Sequence, residues 1–455
     1  MNDYQLIVIG AGPGGYEAAL AAARLGLRTA VIEKGELGGT CLNRGCIPTK
    51  ALLHASETYR QALNADGLGV HAQSVSVSIQ ELYQYKGQTV EKLRSGVQML
   101  LKNAKVDVIS GRARINADKT VTVEGPDAGT YSADSILIAT GAEPARPPIP
   151  GLDSDGVLTS DELLEKLDSL PQSIVIIGGG VIGVEFATFF CDLGCEVTVI
   201  EALDRLLPNM DRELGQGLAV QLKKRGVKVF TSSVVSEVRK EENLKVVFTQ
   251  KEKEVEAVGE IVLCAIGRRP YTDGLFAPEI KVEMDGRRIK AGVNFETSIK
   301  GIYAIGDVSS KIQLAHVATA QGIACVKAIA GKTYGTDMGI VPSCVYTRPE
   351  IACVGMTEDE AKEAQIPVKT SKVTMFSNAR TIIAGGDRGF MKLVANAETG
   401  ELIGAQLMCE RASDIVGELS QAIANKEKPH DLLKAMRPHP TFEEALTQAL
   451  DALSE

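Results

Sequence analysis

The hydrophobic positions of the chain repeat one pattern twice. An apolar run at 6–9 is followed by a glycine-rich turn, an alanine-rich helical run and a second apolar run that ends at Glu33. The same order begins again at 174–177 and ends at Glu201. The spacing from the first glycine of the turn to the glutamate, position 10 to 33 and position 178 to 201, is the same in both copies. The pattern therefore predicts two βαβ units.

Both turns have the glycine spacing of a dinucleotide-binding loop. In such a loop the first glycine makes the turn, the second lets the backbone approach a pyrophosphate, and the third lets the helix pack on the strand. The helix N-terminus faces the anion, and a carboxylate after the next strand accepts hydrogen bonds from a ribose. A glycine-rich turn without a ligand could explain one copy, but two copies with one spacing favour two dinucleotide sites. The candidate residues are Gly10, Gly12, Gly14, Gly15 and Glu33, and then Gly178, Gly180, Gly183 and Glu201.

Further landmarks divide the chain into domains. A hydrophobic strand ends in a turn of small residues at 136–141 and again at 261–267, and the first unit is the longer one. We place its insertion between Cys41 and Lys105, where 51–63 and 78–102 have helical periodicity. The expected fold is α/β, with two Rossmann-like dinucleotide-binding domains and a C-terminal α+β domain. The first domain is expected to consist of two segments, 1–145 and 269–337, because the chain returns to it after the second domain. The second domain is expected at 146–268 and the third at 338–455.

The composition excludes several classes of function. With 455 residues, 44% of them hydrophobic and 24% charged, the chain is expected to fold into several domains. A net charge of −9, no Trp and only 10 Tyr and 10 Phe argue against a nucleic-acid partner. The longest apolar stretch, 174–190, is interrupted by glycines and a glutamate, so no membrane span is expected. Residues 1–4 lead straight into a strand without a signal peptide, so we expect a cytoplasmic location.

Two of the nine cysteines lie in a segment that suits redox chemistry. Cys41 and Cys46 are five residues apart, and in an ideal helix this exceeds the Cα separation of roughly 7 Å that a disulfide allows. Glycines at 38, 39 and 45 and a proline at 48 permit the necessary distortion. The nearby Lys50 would lower a thiol pKa and favour thiol–disulfide exchange. Packing alone is the weaker interpretation of this pair, but it is the expected role of Cys191, Cys195, Cys264, Cys325, Cys344, Cys353 and Cys409.

One of the five histidines stands out as a candidate base. His439 lies between two prolines, and Glu444 follows five residues later at the start of a helical run, where it could hold the second ring nitrogen. His54 and His71 have no orienting partner in the sequence, and His430 lies in a charged stretch. His316 follows the 301–307 turn and could lie next to a cofactor. No cluster of residues predicts a metal site.

Taken together, these motifs resemble the flavin-dependent pyridine nucleotide–disulfide oxidoreductases along the whole chain. The matching pieces are 10–15, 38–50, 139–141, 178–185, 201–205, 267–270, 306–307 and 439–444. The resemblance implies an FAD site in the first domain and an NAD site in the second. For FAD it implies Gly10, Gly12, Gly14, Gly15, Glu33, Lys34, Gly39, Thr40, Lys50, Ala113, Thr140, Gly141, Asp307 and Ala315; for NAD it implies Gly178, Gly180, Gly183, Glu201, Val234 and Gly267.

The resemblance also implies roles for the redox residues. Cys41 would exchange with substrate, Cys46 would face the flavin, and Lys50 would pair with Glu185 beside it. His439, held by Glu444, would act on the disulfide of a second copy, so a homodimer built on the C-terminal domain is expected. The implied reaction oxidises dihydrolipoyl groups on a carrier protein of a multienzyme complex, with NAD as acceptor.

Alternatives within and outside the family remain open. Glu201 would repel the 2′-phosphate of NADP, whereas a glutathione-type reductase would have basic residues there. Reductases with a second thiol pair near the C-terminus do not fit, because the last cysteine is Cys409. A related NAD(P)H-dependent reductase of another small disulfide is possible, because Arg44 and the Arg437–Pro438 dipeptide depart from the usual family residues. A redox-inactive scaffold subunit is disfavoured by the intact cysteine pair.

Overall fold

The computed structural model describes residues 3–386 and 389–454 of the chain. Its helices are α1 Pro13–Arg24, α2 Gly39–Arg44, α3 Cys46–Leu63, α4 Ile79–Asn103, α5 Ser160–Glu165, α6 Val181–Asp192, α7 Arg212–Lys224, α8 Ala315–Ile329, α9 Glu358–Glu363, α10 Ala379–Ile383, α11 Ala412–Ala424, α12 Pro429–Leu432 and α13 Glu444–Ser454. Short 3₁₀ turns lie at Ala65–Leu68, Gly306–Val308 and Met375–Ser377.

The strands of the described residues belong mainly to three large sheets. They are β1 Tyr4–Ile9, β2 Thr29–Glu33, β3 Asp107–Ser110, β4 Arg112–Ile115, β5 Thr120–Glu124, β6 Gly129–Ile138, β7 Ala142–Pro144, β8 Val157–Thr159, β9 Ser173–Ile177, β10 Glu196–Ile200, β11 Lys228–Phe230, β12 Ser233–Lys240, β13 Leu244–Gln250, β14 Lys253–Gly259, β15 Ile261–Cys264, β16 Arg268–Pro270, β17 Met284–Asp285, β18 Arg288–Ile289, β19 Ile302–Ala304, β20 Ser343–Val345, β21 Ile351–Gly355, β22 Val368–Thr374, β23 Phe390–Asn396 and β24 Leu402–Met408.

The first sheet has the order β3-β2-β1-β6-β5-β4, with β19 added beside β6. Strands β3, β2, β1, β6 and β19 are parallel, and Val8 of β1 lies between Val31 and Leu137 of its neighbours. The central strands β1 and β2 are almost continuously apolar because both faces of the sheet are covered, one by helices α1 and α8 and the other by strands β4 and β5. Strand β19 reaches this sheet only after the chain has built the second one.

The second sheet is fully parallel, with the order β11-β10-β9-β15-β8. Strand β9 is central and is followed by α6, as β1 is followed by α1. Behind it, β12, β13 and β14 form a separate antiparallel sheet. The three phenylalanines of α6, Phe186, Phe189 and Phe190, are fully buried and belong to the largest hydrophobic core. The two βαβ units predicted from the sequence therefore form two parallel sheets.

The turn after each first strand requires glycine for a steric reason. Gly10 and Gly178 have φ values of +100° and +110°, a region that residues with a side chain rarely adopt. A Cβ atom on Gly15 would lie 1.9 Å from the Gly10 carbonyl oxygen, and one on Gly183 would lie 2.0 Å from that of Gly178. The third glycine of each motif therefore lets the helix lie against its own turn.

The C-terminal part forms an antiparallel sheet with the order β20-β21-β24-β23-β22. Helices α11 and α13 pack on it, and Leu419, Leu446 and Leu450 share one buried core with the sheet residues. None of the helices within residues 3–386 and 389–454 combines the length and the apolar character that a bilayer crossing needs.

Candidate redox active site

The first dinucleotide loop, Gly10–Gly15, is held in shape by Glu33. One carboxylate oxygen accepts a hydrogen bond of 2.7 Å from the backbone N–H of Ala11, and the other accepts one of 2.9 Å from Gly35. Glu33 therefore braces the loop at the end of β2, where each carboxylate oxygen has a further lone pair for a ribose hydroxyl.

The second loop, Gly178–Gly183, is braced in the same way by Glu201. Its carboxylate accepts hydrogen bonds of 2.6 Å from the N–H of Gly179 and 2.8 Å from that of Leu203. Glu201 is buried, so its negative charge is fixed at the end of β10. The duplication seen in the sequence thus extends to the hydrogen bonds of the two glutamates.

The N-termini of α1 and α6 fit a pyrophosphate. The residues that precede these helices, Gly12 and Gly180, provide no side-chain cap, whereas side chains cap α4, α5, α7 and α9. A Cβ on Gly180 would project into open space. Backbone N–H groups at an uncapped helix start are suitable donors for an anion, so the residues of both loops fit the dinucleotides implied by the family resemblance.

Other predicted cofactor residues lie around the first loop. Lys34 places its ammonium 3.4 Å from the centre of the Tyr271 ring, and Thr140 donates a 2.7 Å hydrogen bond to the carbonyl oxygen of Tyr271. Asp307 lies in the turn after β19, where burial raises the pKa of its carboxyl group while Arg268 opposes the rise.

The remaining predicted positions are spread over several elements. Ala113 is buried in β4, Val234 is exposed at the start of β12, and Ala315 begins α8. Gly141 and Gly267 both have positive φ values, and a Cβ on either would meet nothing within 4 Å.

The redox segment, Gly38–Lys50, packs directly against the first loop. The backbone N–H of Gly38 donates to the carbonyl oxygen of Ala11 at 2.8 Å, and a Cβ on Gly39 would lie 2.6 Å from the Cα of Gly12. Thr40 follows at the start of α2, and its hydroxyl lies 3.5 Å from the Arg268 guanidinium. The cysteines are therefore attached to the loop predicted to bind FAD.

The segment is distorted between the two cysteines. Helix α2 ends at Arg44, Gly45 has φ −150° and ψ −115°, and α3 begins at Cys46. Both cysteines are free thiols and half-buried. The predicted helix at 51–63 thus begins five residues earlier than its periodicity indicates, because the turn from Cys46 to Lys50 is already helical.

The two thiols have opposite pKa shifts. The interaction with Cys41 and the positive charge of Lys50 lower the pKa of Cys46 to about 7, although burial acts in the other direction. The same interaction, together with burial, raises the pKa of Cys41. Cys46 is therefore the thiol that ionises first. By contrast, burial raises the pKa of every other cysteine: Cys191, Cys195, Cys264, Cys325, Cys344, Cys353 and Cys409.

Lys50 is held next to the cysteines by an ion pair. Its ammonium donates hydrogen bonds of 2.9 and 2.8 Å to the two carboxylate oxygens of Glu185 on α6. Burial disfavours the charge of Lys50, but Glu185 outweighs it, and the pKa of Lys50 is raised. The Lys50–Glu185 contact predicted by the resemblance joins the first and second sheet regions.

Tyr346, which no sequence motif indicated, completes this group. Its backbone N–H donates a 3.0 Å hydrogen bond to Glu185, and its ring centre lies 4.6 Å from the Lys50 ammonium. Arg268 was expected only as part of a motif shared with the family. Besides its contact with Thr40, it donates a hydrogen bond to the Ala142 carbonyl oxygen and pairs with Asp161.

His439 and Glu444 form a second group, on the C-terminal part. The Nδ1 atom of His439 lies 2.8 Å from a Glu444 carboxylate oxygen, and the other oxygen accepts from the backbone N–H of Thr441. These hydrogen bonds, the Thr441 bond first, lower the pKa of Glu444. With a carboxylate on Nδ1, the Nε2 atom is the one available to take a proton. The His439 side chain is 73% exposed.

The other histidines differ partly from expectation. The prediction that His71 has no partner is wrong, because its Nδ1 atom lies 2.8 Å from Asp66, five residues earlier. Both side chains are exposed, so this pair lies on the surface. His316 is hydrogen-bonded to the carbonyl oxygen of Pro342 at 2.9 Å. Among the described residues, no three His, Cys, Asp or Glu side chains are grouped as a metal site would require.

Comparison with known proteins agrees with this geometry. Residues 4–322 match the pyridine nucleotide-disulphide oxidoreductase family, and residues 341–450 match its dimerisation domain. The chain belongs to this family. Its members use FAD and NAD, which are the two cofactors that the loops fit, and the dimerisation domain supports a homodimer. The predicted fold class is thereby confirmed.

Similar proteins cover the whole chain. The chain is 39% identical to a dihydrolipoyl dehydrogenase of Bacillus subtilis, covering 98% of this chain and 97% of that protein. It is 40% identical to one of Thermus scotoductus, covering 100% and 98%. Among solved structures, LpdA from Mycobacterium tuberculosis has a TM-score of 0.90 at 28% identity, covering 99% of each chain. The HOCl-induced flavoprotein disulfide reductase RclA from Escherichia coli has a TM-score of 0.86 at 28% identity, covering 98% of this chain and 99% of that chain.

Proposed function

We propose that the chain oxidises dihydrolipoyl groups to lipoyl groups, with NAD as electron acceptor. The observation that supports this most directly is the pair of thiols with opposed pKa values beside the first dinucleotide loop. One thiol is poised to ionise near neutral pH, and the other stays protonated. A histidine–glutamate pair of the kind that activates a thiol lies on the dimerisation domain. The relatives named above are dihydrolipoyl dehydrogenases.

The proposed reaction begins with the oxidised Cys41–Cys46 pair as a disulfide. The Nε2 atom of His439 takes a proton from one thiol of the substrate, and the resulting thiolate attacks the Cys41 sulfur. The bond between Cys41 and Cys46 breaks, and Cys46 leaves as a thiolate, which Lys50 stabilises. The second substrate thiol then attacks the substrate sulfur of the mixed disulfide and displaces Cys41, which takes up the proton that this thiol loses. The substrate leaves as a disulfide, and the enzyme holds the Cys41 thiol and the Cys46 thiolate, with the first proton on His439.

Bound FAD would supply the acceptor for the electron pair of the dithiol and the donor of a hydride to NAD. We assign Gly10–Gly15 and Glu33 to the adenosine and pyrophosphate parts of FAD, and Lys50, Asp307 and Ala315 to its other parts. Lys34, Gly39, Thr40, Ala113, Thr140 and Gly141 complete this proposed set. For NAD we assign Gly178–Gly183, Glu201, Val234 and Gly267.

The buried charge of Glu201 supports NAD over NADP. A 2′-phosphate at the end of β10 would lie against this carboxylate, which already holds two backbone N–H groups in place. The nearest cation, Arg205, is engaged by Asp204 at 2.9 Å and by the Pro208 carbonyl oxygen. Like-charge repulsion in a buried setting is costly.

We further propose a lipoyl-bearing carrier protein as the partner of the homodimer. The thiol pair is only half-buried and is therefore accessible to a lipoyl group presented by another protein. The seven cysteines outside the pair are free thiols, which suits a reducing compartment such as the cytoplasm.

The function can be tested with the purified, FAD-loaded protein. Reduction of NAD by dihydrolipoamide is measured beside reduction of NADP by dihydrolipoamide and oxidation of NADPH by glutathione disulfide. We expect the first reaction to be much the fastest. Fast glutathione disulfide reduction with little dihydrolipoamide oxidation would contradict the proposed substrate and would favour another disulfide. Comparable rates with NAD and NADP would contradict the proposed choice of nucleotide.

His439→Gln tests the proposed base. Removal of a general base costs roughly 10²- to 10⁴-fold, so dihydrolipoamide oxidation should fall by that order while FAD stays bound. His430→Gln is the matched control, because His430 is exposed and paired only with its neighbour Asp431 at 3.4 Å. Unchanged turnover of His439→Gln would remove His439 from the reaction.

A further inference from the structure

Arg437 stands out in the loop that presents His439, because its side chain points inward. This loop connects α12 to α13 over residues 433–443. The side chain of Arg437 is only 3% exposed, whereas that of His439 is 73% exposed and Met436 is fully exposed. A long cationic side chain is rarely buried unless it is paired, so the contacts of Arg437 indicate what it does.

The guanidinium of Arg437 joins the loop to two helices. One nitrogen pairs with the carboxylate of Glu418 on α11, and another lies 3.5 Å from the hydroxyl of Thr447 on α13. Helix α13 also begins with Glu444, the residue that holds the His439 ring. Arg437 therefore fixes the loop to the same helix that orients the imidazole.

The loop has different anchors on the two sides of His439. After the histidine, the side-chain amide of Asn378 donates 2.9 Å to the Thr441 carbonyl oxygen, and Thr441 donates to Glu444. Before the histidine, the carbonyl oxygen of Pro438 accepts a 2.9 Å hydrogen bond from the hydroxyl of Thr441, which belongs to the same loop. Arg437, two residues from the base, supplies the contact to α11 and α13 on this side, whereas the start of the loop is held to α12.

We infer that Arg437 is a positioning residue for His439, acting through Glu418 and Thr447. This inference rests on the proposed function, in which the Nε2 atom of His439 must meet a substrate thiol at the cysteine pair of a second copy. An exposed base on a loop that is not fixed to α11 and α13 on this side would sample more orientations, and a displacement of about 1 Å can cost roughly 10²-fold in rate. The ion pair with Glu418 limits that freedom without touching the substrate.

The inference is tested by replacing Arg437 and separating the two halves of the reaction. Oxidation of dihydrolipoamide needs the base, whereas oxidation of NADH by ferricyanide needs only the flavin and the nucleotide site. In Arg437→Met we expect kcat with dihydrolipoamide to fall roughly ten- to a hundred-fold, with little change in KM, in FAD content or in the ferricyanide reaction. Arg437→Lys should recover much of the loss, because it retains a donor for Glu418.

Further variants exclude a general structural effect. Glu418→Gln should slow the same half-reaction, and the Arg437→Met/Glu418→Gln double variant should be no slower than the slower single variant, because both act through one contact. Arg411→Met is the matched control: Arg411 lies just before α11, is exposed and pairs with Asp414 at 3.3 Å. If Arg437→Met does not fold, Glu418→Gln and Arg437→Lys make the same comparison.

The outcomes separate this inference from the proposed function. Unchanged dihydrolipoamide turnover in Arg437→Met, or an equal fall in both half-reactions, would overturn the positioning role. A wild-type protein that oxidises NADH with ferricyanide but does not oxidise dihydrolipoamide would instead refute the proposed function.

Discussion

At the scale of single residues, the site contains two carboxylates that have a structural role and, in the proposed function, a binding role. Glu33 and Glu201 each fix the backbone of a glycine-rich loop through both carboxylate oxygens. The same atoms are placed at the strand end where a ribose would be bound. A binding carboxylate that is already fixed loses little freedom when its ligand arrives, which preserves affinity.

The pKa of Cys46 gives a prediction for the reduced protein. Because this pKa is lowered to about 7 from an ordinary value of 9.0, the thiol is protonated below pH 7 and ionised above it. Alkylation of the reduced protein by iodoacetamide should therefore rise with a midpoint near pH 7, since the thiolate is the nucleophile. In Lys50→Met the midpoint should move upward, because a charge that stabilises the thiolate is lost.

Lys34→Met is the control for this experiment. Lys34 also lies beside an aromatic ring near the first loop, but it contacts Tyr271 rather than the thiols. An unchanged midpoint in Lys50→Met, or an equal change in Lys34→Met, would show that Lys50 does not set the ionisation of Cys46.

The residues that sequence reasoning could and could not find differ in how they act. Glu33, Glu201 and the cysteines act through their own side-chain chemistry at fixed local spacing, so a motif reveals them. Tyr346 holds Glu185 through its backbone N–H across 161 residues of sequence. Every residue type except proline supplies that group, so the sequence has no specific signal for it.

At the scale of elements, Gly45 separates two helices that would otherwise merge. A Cβ at this position would lie 2.9 Å from the Thr40 carbonyl oxygen and 3.3 Å from the Cα of Cys41. The break between α2 and α3 therefore depends on a missing side chain and sets the separation of the two thiols. The sequence correctly indicated that the segment is distorted, but it could not show which of its glycines makes the break.

Gly45→Ala should disturb the thiol pair without removing it. The added methyl group pushes α2 away from α3, so we expect the disulfide to be harder to form. The measurement is the thiol–disulfide equilibrium of the protein against a dithiothreitol buffer, where the dithiol should be favoured compared with the wild type. Gly96→Ala in α4 is the control, because its Cβ would meet nothing, and we expect an unchanged equilibrium. If Gly45→Ala matched the wild type, Gly45 would not control disulfide closure.

At the scale of the whole molecule, one buried carboxylate joins three parts of the chain. Asp192, at the end of α6, has a fully buried side chain. It lies 2.7 Å from Arg348 of the C-terminal part and 3.4 Å from Arg60 of α3, and it also pairs with Arg225 after α7. The relative placement of Lys50 on α3 and Tyr346 beside Arg348 depends on this junction.

Asp192→Asn should therefore destabilise the protein strongly. The substitution removes the charge that pairs with Arg225 and leaves Arg348 with Glu57, and breaking a buried ion pair costs about 3–5 kcal/mol. The denaturation midpoint of the FAD-loaded protein should fall well below that of Asp204→Asn, a control whose carboxylate pairs with Arg205 and Arg212 on the surface. Equal midpoints for the two variants would mean that the junction around Asp192 adds little to stability.

The place of β19 in the first sheet bears on how the protein is made. Residues 302–304 complete that sheet beside β6, although residues 136–138 were synthesised long before them. A ribosome must therefore finish the entire second nucleotide-binding unit while the edge of β6 in the nascent chain is still unpaired. An open strand edge is a site for mispairing. Chaperone dependence during translation should thus be greatest between the emergence of β6 and that of β19.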